Sequence, residues 1–207
     1  MSVSAQEVKK LRQETGAGFM LCKEALFASN NDMDKAKEWL KKKGLSTVAK
    51  KSSRQAGEGL ISSYVHGGGR IGVLLEVNSE TDFVARNKYF KQFVKQLNLH
   101  IVAMNPIYIK ESEIPVKVVE KEKEICKSQA LVKTQKKEIA EKIATGLYKK
   151  WLEQVCLFHQ EFVRDSEEKK QKVEEALIDL IARLGENIVI RRFSRFALGE
   201  TNEEKKN

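Results

Sequence analysis

The residues best suited to do chemistry lie in one short stretch, Asn78 to Asn87, which reads Asn-Ser-Glu-Thr-Asp-Phe-Val-Ala-Arg-Asn. Thr81 and Asp82 supply a hydroxyl and a carboxylate just before a helical pattern, so either residue can cap that helix by accepting its free amides. Phe83 stands beside them. A large aromatic next to a carboxylate is typical either of the core or of a tip that enters another protein. The stretch therefore indicates packing and capping, or binding of a partner.

Two elements must position this stretch. Ile71–Val77, rich in β-branched and apolar residues, predicts a mostly buried strand before it. A helix follows, with an apolar stripe at i, i+3 and i+4 spacing: Phe90, Phe93, Val94, Leu97, Ile101 and Met104. Arg86 and Asn87 interrupt this stripe before it reaches Phe83. The stretch is thus a strand-to-helix corner whose aromatic residue is not a simple continuation of the core.

No other group of residues has the spacing of an active site. His66, His100 and His159 are isolated from one another and from clustered carboxylates, which favours satisfied or exposed histidines over metal ligands. The sequence Gly67-x-Gly69-x-x-Gly72 matches a dinucleotide fingerprint as text, but a strand follows it where the fingerprint needs a helix. No nucleophile has a base at a suggestive spacing. We expect no enzyme activity, no cofactor and no resident metal.

Composition sets broader limits. The chain has 207 residues, of which 32% are charged and only two are proline, as is typical of a soluble, helix-rich protein. No apolar run is long enough to span a bilayer, and the start lacks the apolar centre of a secretory signal. The three cysteines, Cys22, Cys126 and Cys156, lack the paired spacing of a zinc site, so we expect reduced, buried thiols in a reducing compartment.

Three short helices are predicted at the amino terminus. Ser4 to Glu7 fits a capping box, and Val8 and Leu11 supply the apolar face of the first helix. The second begins at Phe19-Met20, with inward residues Cys22, Ala25 and Leu26 and with Phe27 as a further candidate. Asp32 caps the third, which carries Ala36, Trp39 and Leu40 and is expected to stop at Gly44. Residues 1–45 therefore predict a small helical module.

The rest of the chain predicts an α+β core. A polar connector, residues 46–58, is expected to tether the module, and Leu60–His66 pairs with the next strand through a glycine-rich turn. The helix that carries the Phe90–Met104 stripe ends near residue 104, and a second helix runs from Ile114-Pro115 to about Val132. A third covers Ile139–Val155 with an i+4 stripe. A fourth covers Val173–Leu184, with Asp165 and Glu168 as its cap. Asn187–Leu198 reads as a final strand. We place the core at residues 59–199 and a frayed tail at 200–207.

The net charge of +9 leaves several interpretations open. Basic residues are locally dense from Lys35 to Arg54, and such a patch attracts phosphate backbones without reading sequence. It suits an acidic partner equally well, and a solvated lysine-rich linker is the plainest interpretation. A basic ribosome- or RNA-associated protein is therefore the alternative function, although no aromatic stacking surface is interleaved with the charge.

Three separated motifs resemble the elongation factor Ts family, the nucleotide exchange factors of bacterial and organellar elongation factor Tu. They are Thr81–Asn87 after a Glu-Val-Asn strand end, Leu11–Leu26, and Gly185–Phe193. The resemblance spans almost the whole chain, in family order. It implies a translation elongation factor whose amino-terminal module is a ubiquitin-associated-like three-helix bundle.

The resemblance also implies site residues. The corner, here Thr81, Asp82, Phe83 and Val84, would enter the nucleotide domain of elongation factor Tu and dislodge its Mg²⁺, which promotes GDP release so that GTP can bind. The module would contact the same domain through Val8, Leu11, Gly18, Phe19, Met20 and Lys23, with core packing as the alternative for Leu11 and Met20. Phe19 and Leu21 stand where the family more often has Met and Asp, so we expect no acidic contact from position 21.

Short members of this family tend to dimerise, so the resemblance implies a homodimer. It implies binding to elongation factor Tu in both GDP-bound and nucleotide-free forms, with no membrane association and no specific nucleic acid. The expected location is the bacterial cytoplasm, or the stroma or matrix of an organelle if the chain is organelle-encoded. An adaptor for ubiquitin-like partners would explain only the first 45 residues.

Overall fold

The structure is a computed structural model that describes residues 3–163 and 171–200. The helices are α1 (Ala5–Thr15), α2 (Phe19–Ala28), α3 (Met33–Lys51), α4 (Asp82–Arg86), α5 (Lys88–Met104), α6 (Val116–Lys133), α7 (Lys137–Val155) and α8 (Val173–Leu184), with 3-10 turns at Glu111–Glu113 and Leu157–His159. The strands are β1 (Glu58–His66), β2 (Ile71–Ser79) and β3 (Ile188–Ala197), in the order β1-β2-β3. The predicted α+β class is confirmed. Among the described residues, no helix is both long and apolar enough to cross a membrane.

The chain forms two compact units. The first comprises Met1–Ile61, Glu76–Val94 and Glu175–Arg191, and the second comprises Ser62–Leu75, Lys95–Glu174 and Arg192–Asn207. The domain boundaries expected from the sequence stay a prediction. The expected cap at Asp165 and Glu168 and most of the expected tail lie outside the described residues.

The first three helices form the predicted bundle. Ser4 and Glu7 make the capping box, with each side chain accepting the other's backbone amide at 3.1 Å. The core of the bundle is small and apolar, and consists of Val8, Leu11, Cys22, Ala25, Leu26 and Ala36. The expectation that Phe27 points inward is wrong, because 67% of its surface is exposed.

The expected end of α3 at Gly44 is also wrong, since the helix continues to Lys51. Gly44 is buried, and a β-carbon at this position would lie 3.3 Å from Cγ2 of Ile178 in α8. Lys41 pairs with Glu175 at 2.6 Å, and Nζ of Lys51 donates to the carbonyl of Gly185. Glycine here allows close helix packing, and tertiary contact overrides its weak helix propensity.

The hairpin and the helix after the corner follow the predictions closely. Gly67, Gly68 and Gly69 all have positive φ in the β1–β2 turn, which glycine adopts without strain. The stripe of α5 is buried from Phe90 through Ile101, whereas Met104, the last residue of the helix, is 40% exposed. Asn105, at φ 45°, ends α5 as expected. In the second unit, Nδ2 of Asn98 in α5 donates to Oγ of Ser62 in β1 at 2.9 Å.

The later elements also match in type and position. α6 and α7 pack against each other, but the predicted stripe of α7 is only partly buried, because Ile139 at its start is 45% exposed. α8 buries an apolar stripe from Val173 to Ile181, and Gly185, at φ 76°, follows the end of the helix. Ile188 and Ile190 share the buried face of β3. All three cysteines are free and buried, as predicted.

His100 is the one fully buried histidine of the described chain. Its Nε2 lies 2.9 Å from Oε1 of Gln160, and its Nδ1 accepts the amide of Val163 at 3.1 Å. A second proton on Nδ1 would face an N–H donor, so the neutral ring is the form that fits. Burial lowers the pKa of His100 to about 4, and the hydrogen bond that its Nε2 donates to Gln160 opposes this shift only in part.

We predict a measurable acid dependence of stability from His100. Its folded pKa lies below its unfolded pKa, so the unfolded chain takes up the proton first as pH falls. The free energy of unfolding should therefore be fully supported above pH 6.5 and lose about 3 kcal/mol between pH 6.5 and pH 4. Urea unfolding across this range measures it. The exposed His66→Gln variant should keep the slope and His100→Gln should flatten it; an NMR titration of His100 near 6.5 would contradict the assignment.

We also predict that Gly59 cannot carry a side chain. A β-carbon there would lie 2.3 Å from the carbonyl oxygen of Val77, and φ is +146°. Gly59→Ala should therefore destabilise the protein by about 2 kcal/mol or more, read as a lower Tm. Gly72→Ala is the matched control in the neighbouring strand, because the space around Gly72 is open and the change should cost nearly nothing. Equal Tm values for the two variants would refute the steric argument.

Candidate functional site

The corner between β2 and α4 presents one large apolar side chain to the outside. Phe83 is 79% exposed, while its neighbours Val84 and Ala85 are 9% and 8% exposed. The core interpretation of Phe83 is therefore excluded in this structure. α4 has only five residues and ends at Asn87, whose extended backbone separates it from α5. The interrupted stripe seen in the sequence is this break, and it leaves Phe83 projecting from a turn that its neighbours anchor.

Thr81 is the residue that caps α4. Its backbone is extended, and its Oγ1 accepts the amide of Val84 at 3.5 Å, a long hydrogen bond. Asp82 lies in the first turn of α4, where a negative charge is favourable. Of the two capping candidates, the hydroxyl of Thr81 thus makes the cap, and the carboxylate of Asp82 is left for other contacts.

Asp82 pairs with Arg86 along the outer side of α4. Oδ2 of Asp82 lies 3.0 Å from Nη2 of Arg86, at i,i+4 spacing, and the two side chains are 43% and 76% exposed. An exposed pair of this kind is worth about 0–1 kcal/mol. The ion pair therefore orients the carboxylate of Asp82, and breaking it so that the carboxylate can bind another group would cost little free energy.

A carboxylate from far along the chain holds the corner in place. Glu186 receives two hydrogen bonds from Thr81: the backbone amide donates to Oε2 at 3.0 Å and the hydroxyl donates to Oε1 at 2.7 Å. The fully buried Ser79 donates its hydroxyl to the carbonyl of Thr81 at 2.9 Å. Three polar groups of Thr81 are thereby satisfied within the fold.

A second carboxylate makes the reverse connection. Oε1 of Glu80 accepts the backbone amide of Asn187 at 2.6 Å, and Oε2 lies 3.4 Å from Nη1 of Arg54. The amide of Asn187, and then Arg54, lower the pKa of the Glu80 carboxyl. Nδ2 of Asn187 in turn donates to the carbonyl of Arg54 at 2.8 Å. One polar network within the first unit therefore joins Arg54, which follows α3, to the corner and to the α8–β3 junction.

The sequence did not reveal this network. Glu186 and Asn187 belonged to a recognised motif, but no contact of either could be assigned from it. One signal was present in hindsight: Glu80-Thr81 and Glu186-Asn187 are both an acid followed by a small polar residue where a strand meets a helix. Such pairs can exchange hydrogen bonds when a fold brings two junctions together.

The amino-terminal module carries a second exposed surface. Phe19 and Met20 are 45% and 61% exposed, and Lys23 is exposed one turn later. Phe27, which the sequence pattern predicts to point inward, is exposed after one further turn. We call these four residues the α2 surface. Gly18 caps α2 with no side-chain hydrogen bond and with open space around it. Met20 therefore lies on the surface and not in the core of the bundle.

Val8 and Leu11 are placed differently from the other expected contact residues. They are 1% and 0% exposed and lie in the core of the bundle. The core interpretation of Leu11 is the one that the structure supports. Both side chains hold α1 against α2, and so they support the α2 surface instead of forming part of it.

No cluster of residues suited to a metal is found among the described residues. Together, the described corner and the α2 surface offer apolar and charged groups for contact, and they offer no nucleophile paired with a base. The described residues thus present two exposed surfaces, one of them on a corner whose neighbouring residues are anchored in the fold.

Comparison with known proteins identifies the family. The family model described as Elongation factor TS matches residues 30–170, and a second, Elongation factor Ts, mitochondrial, N-terminal, matches residues 1–47. Elongation factor Ts of Caldanaerobacter subterraneus subsp. tengcongensis is 50% identical over 202 residues, which cover 98% of this chain and 100% of that protein. Elongation factor Ts of Alkaliphilus metalliredigens is 49% identical over 205 residues, which cover 99% and 94%. The chain belongs to the elongation factor Ts family.

Proposed function

We propose that this translation elongation factor acts as the guanine-nucleotide exchange factor of elongation factor Tu. It would bind the GDP form, disturb the Mg²⁺ site of the partner and promote GDP release so that GTP can bind. The observation that carries the proposal is Phe83, which projects with 79% of its surface exposed from an otherwise anchored corner. The protein would act by binding alone and would not be an enzyme that makes or breaks bonds.

Phe83 and Asp82 have complementary roles in this proposal. An exposed aromatic gains most from a pocket that removes it from water, so Phe83 is suited to wedge between side chains of the partner. Asp82 brings a carboxylate to the same place, where it competes for the groups that support the ion. Mg²⁺ bridges the phosphates of a bound nucleotide and offsets their charge, so its displacement weakens GDP binding.

Thr81 and Val84 support Phe83 and Asp82, which together we call the wedge, from within the fold. Thr81 caps α4 and binds Glu186, and Val84 is buried. Their contribution is rigidity, because a wedge that yields would not transmit binding energy to the partner. In the same way, Gly18, Phe19, Met20 and Lys23 are proposed to contact the nucleotide domain through the α2 surface, with Val8 and Leu11 supporting them from the core.

The thermodynamics of this mechanism are reciprocal. If the factor weakens the affinity of its partner for GDP by some ratio, GDP weakens the affinity of the partner for the factor by the same ratio. The factor therefore speeds exchange in both directions and does not choose between GDP and GTP. Direction comes from the greater supply of GTP and from later binding steps.

Two further features follow from the same proposal. The relatives reported above are bacterial proteins, which supports the cytoplasm over an organelle stroma or matrix as the location. The alternative function, RNA or ribosome binding, has less support because basic residues of α3 are engaged in ion pairs: Lys35 with Asp32, Lys37 with Glu14, and Lys41 with Glu175. An affinity for RNA that falls steeply with salt concentration would support the RNA-binding alternative.

We also propose a homodimer, based on the outer face of the sheet in the second unit. Along β2, Leu74 is 52% exposed between the buried Val73 and Leu75, so it points away from the core. Val65 in β1 and Phe196 in β3 are 65% and 64% exposed. An apolar sheet face of this kind is suited to bury itself against a second copy.

Phe83→Ala should slow exchange without unfolding the protein. Loss of one aromatic hot spot of about 2 kcal/mol lowers the rate of GDP release about 30-fold at limiting factor. The measurement is release of a fluorescent GDP analogue from elongation factor Tu at fixed Mg²⁺, with thermal unfolding in parallel. Asp82→Ala should also slow release. Val132→Ala, at a site 89% exposed on α6, is the control and should match wild type. A large drop in Tm for Phe83→Ala would show a core residue and defeat the wedge.

Phe196→Glu should convert the dimer to a monomer. A charge on the outer sheet face would be buried without a partner in the dimer, which no interface of ordinary size tolerates well. Light scattering at micromolar concentration measures the mass. Val132→Glu places the same charge on α6 and should remain dimeric. A wild-type protein of monomeric mass would contradict the dimer proposal and leave the exchange proposal standing.

A further inference from the structure

Glu186 makes an unusually specific contact with the corner. The residue lies directly after Gly185 at the junction of α8 and β3, and its two carboxylate oxygens each accept one hydrogen bond from Thr81. The distances are 3.0 Å from the backbone amide and 2.7 Å from the hydroxyl. Hydrogen bonds to an ionised acceptor are about twice as strong as neutral ones. Two of them from one residue fix both its backbone and its side chain.

The contact acts where the direction of α4 is set. Thr81 is the cap of α4, so the orientation of its backbone determines how the first turn begins and where Phe83 and Asp82 point. A helix of five residues is too short to hold its own geometry in water. The angle of the corner must therefore be imposed from outside α4, and Glu186 is placed to impose it.

Glu80 supports the other side of the same junction. Its carboxylate accepts the amide of Asn187, the residue next to Glu186, at 2.6 Å, and it lies 3.4 Å from Arg54. Each of the two acids thus accepts hydrogen bonds from the residue next to the other: Glu186 from Thr81, and Glu80 from Asn187. This arrangement keeps Glu186 itself from swinging away with the α8–β3 turn.

We propose that Glu186 is a positioning residue for nucleotide exchange, which holds Thr81 through two hydrogen bonds and so fixes the angle at which Phe83 and Asp82 leave the corner. The inference rests on the proposed exchange function. Glu186 itself would touch neither the partner nor its nucleotide. Its effect would appear in the maximal rate of release, since the α2 surface, which is remote from it in sequence, supplies binding independently.

The test compares Glu186→Gln with Glu175→Gln. Glutamine keeps the size of the side chain, but its Nε2 cannot accept a hydrogen bond, so the backbone amide and the hydroxyl of Thr81 can no longer both donate to separate acceptor atoms of residue 186. Glu175 is the matched control, because it lies in α8 and bonds Lys41 of α3, away from the corner. Release of the fluorescent GDP analogue is measured over a range of factor concentrations, which separates the maximal rate from the half-saturating concentration.

We expect Glu186→Gln to lower the maximal rate about tenfold with the half-saturating concentration changed less than about twofold. Glu175→Gln should match wild type in both quantities. An unchanged maximal rate in Glu186→Gln would overturn the positioning role while wild-type acceleration upholds the exchange function. No acceleration by wild type would instead refute the exchange function.

A second measurement decides the positioning role without exchange activity. Amide hydrogen exchange of residues 81–84 should be faster in Glu186→Gln than in wild type or Glu175→Gln, because the corner loses its restraint. Equal protection in the three proteins would overturn the inference. If Glu186→Gln fails to fold, Glu186→Asp is the second variant, because it leaves the Thr81 cap of α4 in place and shortens the carboxylate's reach by one methylene, so that it can no longer meet both donors of Thr81. The aspartate variant should then exchange faster at residues 81–84 than wild type, and equal rates would again overturn the inference.

Discussion

The structure of the corner depends on one interaction, the pair of hydrogen bonds from Thr81 to the carboxylate of Glu186. A strand that turns into a five-residue helix leaves backbone amides without partners and has too few residues to stabilise itself. Val84 and Ala85 contribute buried apolar surface, and the two carboxylates of the network supply the hydrogen bonds. With those in place, Phe83 can remain exposed without drawing the corner into the core.

That exposure is a local violation of the rule that large aromatics are buried. Natural sequences break such rules mainly at functional sites, where a compensating interaction elsewhere maintains the fold. Here the compensation is visible, since Glu80, Glu186 and Ser79 satisfy the polar groups around an apolar tip. The exposed ion pair of Asp82 and Arg86 adds little stability, which leaves the carboxylate easy to recruit.

Features set by neighbours in sequence could be predicted, and features set by distant partners could not. The hairpin, the α5 stripe and the cap of α4 depend on residues two to four apart, where periodicity and capping rules operate. Glu186 and Asn187 lie 105 and 107 residues from their partners in the corner. The length of α3 was missed for the same reason, since Gly44 ends a helix in isolation but here packs against Ile178 of α8. Exposure of Phe27 likewise depends on how three helices meet.

The continued α3 helix changes how the two exposed surfaces relate to a partner. A flexible tether would leave the module and the corner to find the partner separately, at an entropic cost for each. The contacts of Gly44 and Lys51 with α8, and of Arg54 with Glu80 and Asn187, instead place both surfaces in one compact unit. Binding through the α2 surface would then make entry of the corner an intramolecular step. If the proposed exchange function holds, the module would raise the effective concentration of the corner at its partner, and the carboxylate network would keep Phe83 and Asp82 in a fixed orientation for entry.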